Sequence, residues 1–190
     1  RGLGDVYKRQ GELGYEIHCR MGDHIALRRL LLNVGAECGI REFGFNALFS
    51  LRLEKGFGIW SAEFTQGYTP GMTGMDRWID WEKEKFIGQA AAIKERDGNG
   101  PAQKLVMLEI DADDADASGY EPVWNNDSLV GFVTSGGYGH TLKKSLAMAL
   151  VNNDLANENQ KLKVHVVGVE KDAQVIQTSP YDPEGCVMRV

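Results

Sequence analysis

At Asp97-Gly-Asn-Gly-Pro101 the chain changes character. Glycine and proline packed this closely interrupt helix and strand alike, and such a polar link is where few contacts cross. Beyond it come six short apolar or alternating runs: Leu105–Ile110, Pro122–Trp124, Ser128–Thr134, Leu146–Val151, Lys161–Val167 and Ala173–Gln177. Turn residues separate them. Short strands at that spacing protect one another's edges by closing up, as a small barrel or a sandwich. Before the boundary the spacing is mostly helical, so the whole reads as α+β.

The best-defined element upstream is Phe43 to Trp60. Phe45, Leu48, Phe49, Leu51 and Leu53 recur at helical spacing, and Gly56 and Gly58 supply the conformation that ends a helix. The same segment carries Arg52 and Glu54, and charges on a buried helix need a partner or a route to water. The plain expectation is a core helix with both of them salt-bridged. Gly11 to His18 turns into a strand, with Leu13, Tyr15 and Ile17 on one face and Glu12 and Glu16 on the other. Asp23 is placed to cap a helix running from Ile25 to Val34, closed by Gly35. Ser61 to Met75 reads as a long ordered loop, Trp78 to Trp81 as a short strand, and Lys85 to Lys94 as an Ala-rich helix.

At 190 residues the chain can bury a sizeable core without disulfides. A net charge of -6 and no Lys/Arg run argue against a nucleic-acid surface. No apolar run approaches the roughly 20 residues of a membrane span, so a soluble chain with no membrane partner is expected. Cys19, Cys38 and Cys186 are an odd set without Cys-x-x-Cys spacing, which points away from zinc or a disulfide framework and toward a reducing compartment. The acidic loop Asp111 to Asp116 lacks the central Gly and terminal Glu of a calcium loop, so no metal is expected there. Gly136-Gly-Tyr-Gly139 before His140 reads as a glycine-rich turn, but a strand pattern rather than a helix follows it, unlike a phosphate loop. His18, His24 and His165 fall at no ligand spacing. Arg1 to Gln10 has no apolar period and no cap, and reads as foreign sequence joined to a truncated frame. The expected organisation is therefore 1–10 foreign, 11–97 a first domain and 98–190 a second.

Four stretches, taken in order, carry a resemblance. Gly11-Glu-Leu-Gly-Tyr-Glu-Ile17, Ser50-Leu-Arg-Leu-Glu-Lys-Gly56, Phe86-Ile-Gly-Gln-Ala90, and Val133-Thr-Ser-Gly136 with Leu142 and Ala147 resemble the aminomethyltransferase (glycine-cleavage T-protein) family. Asn46-Ala-Leu48 ahead of Ser50-Leu-Arg-Leu-Glu-Lys-Gly-Phe57 and Trp60 is similar to one subgroup, the C-terminal folate domain of dimethylglycine and sarcosine dehydrogenases. The resemblance implies a truncated folate-binding domain followed by a small C-terminal β-barrel. It also implies tetrahydrofolate as cofactor, held in the central channel of a three-part arrangement. The glutamate ending Gly-Glu-x-Gly-Tyr-Glu contacts the pterin in that family, and here it is Glu16, with Tyr15 beside it. A carboxylate suits that task, since it accepts two parallel hydrogen bonds from an aminopyrimidine edge. The family's catalytic acid lies in the first folate-binding part, so no catalytic residue and no metal ligand is expected in 11–190. Three positions depart from the family pattern. Leu48 stands where T proteins carry an arginine for the folate tail, Met72 replaces an acidic residue, and Arg9 falls where a tyrosine is usual.

The function so implied is the C-terminal part of a tetrahydrofolate-dependent aminomethyltransferase-like domain. It would belong to an FAD-dependent dimethylglycine/sarcosine dehydrogenase, with FAD in the part preceding this one. Its small-molecule partners would be an N-methyl amine, whose one-carbon unit is transferred, and the folate that receives it. The alternatives are a stand-alone glycine-cleavage aminomethyltransferase, a folate-dependent demethylase, or a non-catalytic folate-binding scaffold. The expected setting is cytoplasmic, or the mitochondrial matrix in a eukaryote, and this piece alone is expected to be inactive.

Overall fold

The computed structural model describes residues 4–7 and 14–187. They fall into two bodies, one taking in the chain up to Ala47 together with the tail from Asp182, the other running from Leu48 to Tyr181.

In the first body β1 (Gly4–Tyr7) pairs antiparallel with β2 (Gly14–Ile17), setting Asp5 opposite Glu16 and Val6 opposite Tyr15. The sequence pattern gave the stretch before Gly11 no element. Residues 1–3 and 8–13, which include Arg9 and the Gly11-Glu12-Leu13 start of the first motif, lie outside the described residues. A 3-10 turn at Met21–Asp23 leads into α1 (His24–Val34). Asp23 stands at the predicted cap position, but its side chain makes no capping bond. The Arg28 guanidinium forks onto the Glu42 carboxylate with two bonds of 2.5 Å, which holds Glu42 below the usual carboxylate pKa. Being exposed, that pair adds little stability.

The predicted helix is present as α2 (Phe45–Lys55), most of it in the second body, but only part of its apolar set is buried. Leu48 and Leu51 are exposed, while Arg52, Leu53 and Glu54 are the buried residues of the helix. Of the apolar residues at helical spacing, Leu53 is turned inward, whereas Leu48 and Leu51 are not. Gly56 then stops the helix at φ +69°, and a Cβ there would stand 1.9 Å from the Thr178 carbonyl oxygen. A short α3 (Pro70–Thr73) starts at Thr69, whose hydroxyl accepts the Met72 amide. The strand expected at Trp78–Trp81 is instead a 3-10 turn at Asp76–Trp78 followed by irregular chain. Its aromatic rings are taken up by cations: Arg77 lies over Trp78 at 5.4 Å and Arg96 over Trp81 at 4.4 Å. The Ala-rich helix, α4 (Gln89–Asp97), starts later than predicted, because Gly88 at φ +85° takes the turn before it.

Past the boundary six strands close a barrel: β3 (Gln103–Ile110), β4 (Pro122–Asn125), β5 (Ser128–Gly139), β6 (Lys144–Asn152), β7 (Lys161–Val166) and β8 (Val169–Ile176). Their order around it is β3-β6-β5-β4-β7-β8, every pairing antiparallel. This settles barrel over sandwich. Leu108, Val123, Val133, Ala147, Ala149 and Val164 fill the interior. Met107, Leu146 and Met148 face outward and are covered by Leu53 of α2. Being covered on both sides, β6 is buried from Ser145 to Val151, which explains its near-continuous apolar sequence.

The glycine-rich segment 136–139 is strand, not turn, and extends β5 beyond the predicted Thr134. A Cβ on Gly136 would approach the Ala117 carbonyl oxygen to 2.3 Å, so its glycine serves a close backbone crossing. A bulge also interrupts the pairing of β5 with β6: Val133 sits opposite Ala149, yet Ser135 sits opposite Met148. That extra residue changes which side chains face out. Val133 and Ala149 point into the barrel, whereas Ser135 shares the outer side with Met148.

Replacing Gly56 with alanine should cost at least about 1–2 kcal/mol for the left-handed backbone alone, with the Thr178 clash in addition. Urea unfolding of both forms would check this; an unchanged midpoint would show that the helix end is not held as described.

Candidate functional site

Three side chains from the Ser50–Glu63 segment grip the β5–β6 hairpin. Ser50 and Glu54 lie one turn apart on α2, hence on the same face. The Ser50 hydroxyl donates to the Tyr138 carbonyl at 2.6 Å. Glu54, 1% exposed, accepts the amides of Thr141 and Leu142 through Oε1, at 2.6 and 2.9 Å. Glu63 is fully buried; its Oε1 accepts the Ser135 hydroxyl and its Oε2 the Ile59 amide at 2.8 Å. The bulge in β5 is what turns Ser135 toward Glu63.

Arg52 completes the group. Its Nη1 lies 3.5 Å from Glu63 Oε2 and donates to the Phe57 carbonyl at 3.0 Å, while the guanidinium lies over the Phe49 ring at 5.1 Å. Its Nε is buried with no acceptor. Burial pulls the Arg52 pKa below its ordinary value, and the Glu63 charge works against that. Tyr68 is pushed above the usual phenol value by burial first, then by Tyr120 and Glu63.

Arg52 is salt-bridged as the sequence led one to expect, but its partner is Glu63. Glu54 has no cation within salt-bridge reach among the described residues and relies on backbone amides instead. Sequence reasoning missed Glu63. The available signal was an acidic residue in an otherwise apolar stretch shortly after a helix stop. Arg52 Nε apart, the polar contacts of these groups go to one another, to Ser135 or to backbone, which makes the cluster a brace.

The residues proposed for binding sit elsewhere and differ in kind. Tyr15 and Glu16 are neighbours on β2, so they project to opposite faces of the strand. Tyr15 is 63% exposed. The Glu16 carboxylate lies 4.0 Å from His18 Nε2, and no hydrogen bond to it occurs among the described residues. It therefore keeps acceptor capacity for a ligand. His140 meets the Tyr138 ring edge-on at 5.1 Å. Cys19, Cys38 and Cys186 are free and exposed. Among the described residues no three His, Cys, Asp or Glu side chains form a group that could hold a metal, and no helix is long and apolar enough to cross a membrane.

Comparison with known proteins gives the chain a context. The family model of the GCVT N-terminal domain matches residues 10–83, and that of the glycine cleavage T-protein C-terminal barrel domain matches residues 103–182. Human mitochondrial dimethylglycine dehydrogenase is 38% identical over 168 residues, covering 88% of this chain and 19% of the relative. An aminomethyltransferase from Geobacillus sp. (strain WCH70) is 33% identical over 172 residues, covering 90% of this chain and 47% of the relative. Among solved structures, the glycine cleavage system aminomethyltransferase T from Bartonella henselae superposes with a TM-score of 0.79 at 26% identity, over 91% of this chain and 47% of that one. The chain thus spans about half the length of the aminomethyltransferase it matches and about a fifth of the dehydrogenase.

The Arg52–Glu63 pair lends itself to a double-mutant cycle. Removing one partner, as Arg52→Met or Glu63→Leu, should cost about 3–5 kcal/mol by stranding the other charge. The double variant should recover a good part of that, because no buried charge remains. Additive losses in chemical denaturation would show that the two do not interact.

Proposed function

The chain belongs to the glycine-cleavage T-protein family, and from that premise we propose that it is the C-terminal part of a tetrahydrofolate-dependent aminomethyltransferase-like domain in a dimethylglycine/sarcosine dehydrogenase-type protein. The observation that carries the reading is the order of the two family matches, folate-type segment before barrel, across the sequence boundary at Asp97–Pro101. The 38% identity to a dimethylglycine dehydrogenase and Leu48 in place of the T-protein arginine favour the dehydrogenase subgroup. A stand-alone aminomethyltransferase, 33% identical, is the second reading. The domain division 11–97 and 98–190, a cytoplasmic or mitochondrial-matrix setting, and FAD in the remainder of the protein go with the first.

Glu16 fits the cofactor, since an exposed carboxylate with no hydrogen-bond donor among the described residues can take an aminopyrimidine edge through two parallel hydrogen bonds. Tyr15, which projects to the opposite face of β2, would pack beside the site behind the strand that presents Glu16. Bound there, tetrahydrofolate supplies the nucleophilic amine that receives the one-carbon unit. What this chain contributes is orientation: holding that amine in place raises its effective concentration near the carbon and limits loss to water. Neither residue carries a proton through the reaction, so this part alone has no turnover.

Calorimetry with tetrahydrofolate on the protein and its Glu16→Ala variant tests the assignment. Loss of the paired acceptors should weaken binding by roughly 1.5–3 kcal/mol, or about ten- to a hundredfold. Tight binding indifferent to the substitution would remove Glu16 from the site. Absence of binding in the parent protein would remove the cofactor from the reading.

A further inference from the structure

Where β3 ends and β6 begins, the barrel mouth holds a hollow of about 770 Å³ that the folate reading does not use. Its floor is one row of the barrel: Ser145 pairs with Ile110, Ile110 with Ala173, and Ala173 with Leu162. Ile110, Ala173 and Leu162 belong to the interior cluster. Ser145, paired with Ile110 and two residues before the interior Ala147, shares that inward side. It is 3% exposed and its hydroxyl has no hydrogen-bond partner. A buried hydroxyl left unpaired in an apolar row is costly unless something polar reaches it.

The walls are charged and one of them is braced. Tyr138 and Lys143 stand on the hairpin whose backbone Ser50 and Glu54 hold, and the acidic loop 111–116 faces the hollow as well. Some charges pair off, Lys144 with Glu109 at 2.6 Å and Lys171 with Asp114 at 3.0 Å. Asp111, Asp113, Asp116 and Asp172 have no such partner among the described residues, against Lys143 and Lys161 on the other side of the balance. The surplus is negative. It is not a metal site, because no three of these carboxylates converge.

We propose that this hollow binds a small aliphatic ammonium compound bearing a second polar group. Its cationic nitrogen lies against Asp113 and Asp116, its stem covers Ile110, Ala173 and Leu162, and its polar end meets the Ser145 hydroxyl. This goes beyond the folate reading and stands or falls without it.

The test is an NMR titration of the 190-residue chain with 4-aminobutan-1-ol, using n-butylamine and calcium chloride as comparisons. The amino alcohol should shift the Tyr138, Lys143 and Ser145 amides saturably, and bind roughly fivefold tighter than n-butylamine, the worth of one neutral hydrogen bond. Ser145→Ala should close that gap without moving amides outside the hollow. Asp113→Asn with Asp116→Asn should weaken both amines by roughly three- to fivefold. Shifts that fail to saturate at concentrations on the order of tens of millimolar would overturn the proposal. So would an amino alcohol advantage that survives Ser145→Ala, or calcium moving the same amides more strongly than either amine.

Discussion

The second body depends on two carboxylates that have been taken out of water. Glu54 and Glu63 are buried at 1% and 0% exposure, and a desolvated carboxylate is tolerated only where donors already point at it. Those donors are the amides of Thr141, Leu142 and Ile59, the Ser135 hydroxyl and the Arg52 guanidinium. Since these donors come from α2, the turn after it, β5 and the β5–β6 turn, satisfying the carboxylates fixes the helix end, the turn after it and the β5–β6 hairpin together. Any rearrangement of one leaves a charge unsolvated in the others. Apolar packing of Leu53 on Met107, Leu146 and Met148 adds area but no comparable directionality.

The β5 bulge is the second constraint, and it acts through parity. Side chains on a strand alternate, so a single extra residue moves everything beyond it to the opposite face. With regular pairing past Val133, Ser135 would point into the apolar barrel and Glu63 would lose its hydroxyl donor. The bulge sends Ser135 outward to Glu63. One local irregularity therefore reconciles an apolar interior with a polar brace on the outside.

Much of the fold was legible because strands announce themselves by alternation and helices by spacing: six barrel strands, α1 and α2 all show in the sequence. What did not show has identifiable causes. Gly136 to Gly139 carries turn-like residues for a steric reason, the crossing of the Ala117 backbone, and so hid the end of β5. Trp78 and Trp81 have strand-like chemistry, but their rings lie under Arg77 and Arg96, and no strand partner is available to them. In α2 the period was right, but spacing marks only apolar residues and so could not show that Arg52 and Glu54 are buried beside Leu53 while Leu48 and Leu51 stay exposed. Glu63 was invisible for the same reason, since its partner stands eleven residues away at Arg52 and its second donor lies on a strand past a bulge.

The contrast among the glutamates also orders their roles. Glu54 Oε1 and both oxygens of Glu63 already accept protein donors, and these bonds hold the body together. Glu16 has spent none on the described residues: it is exposed on a four-residue strand, with the His18 imidazole at 4.0 Å. A recognition group has to be poor in internal partners, because the hydrogen bonds it will make are the ones it has not yet made. That condition is why Glu16, and not the buried pair, is the residue we propose for the cofactor. The proposal rests on a family motif, for in composition and spacing an exposed strand glutamate that meets a ligand is the same as one that meets none.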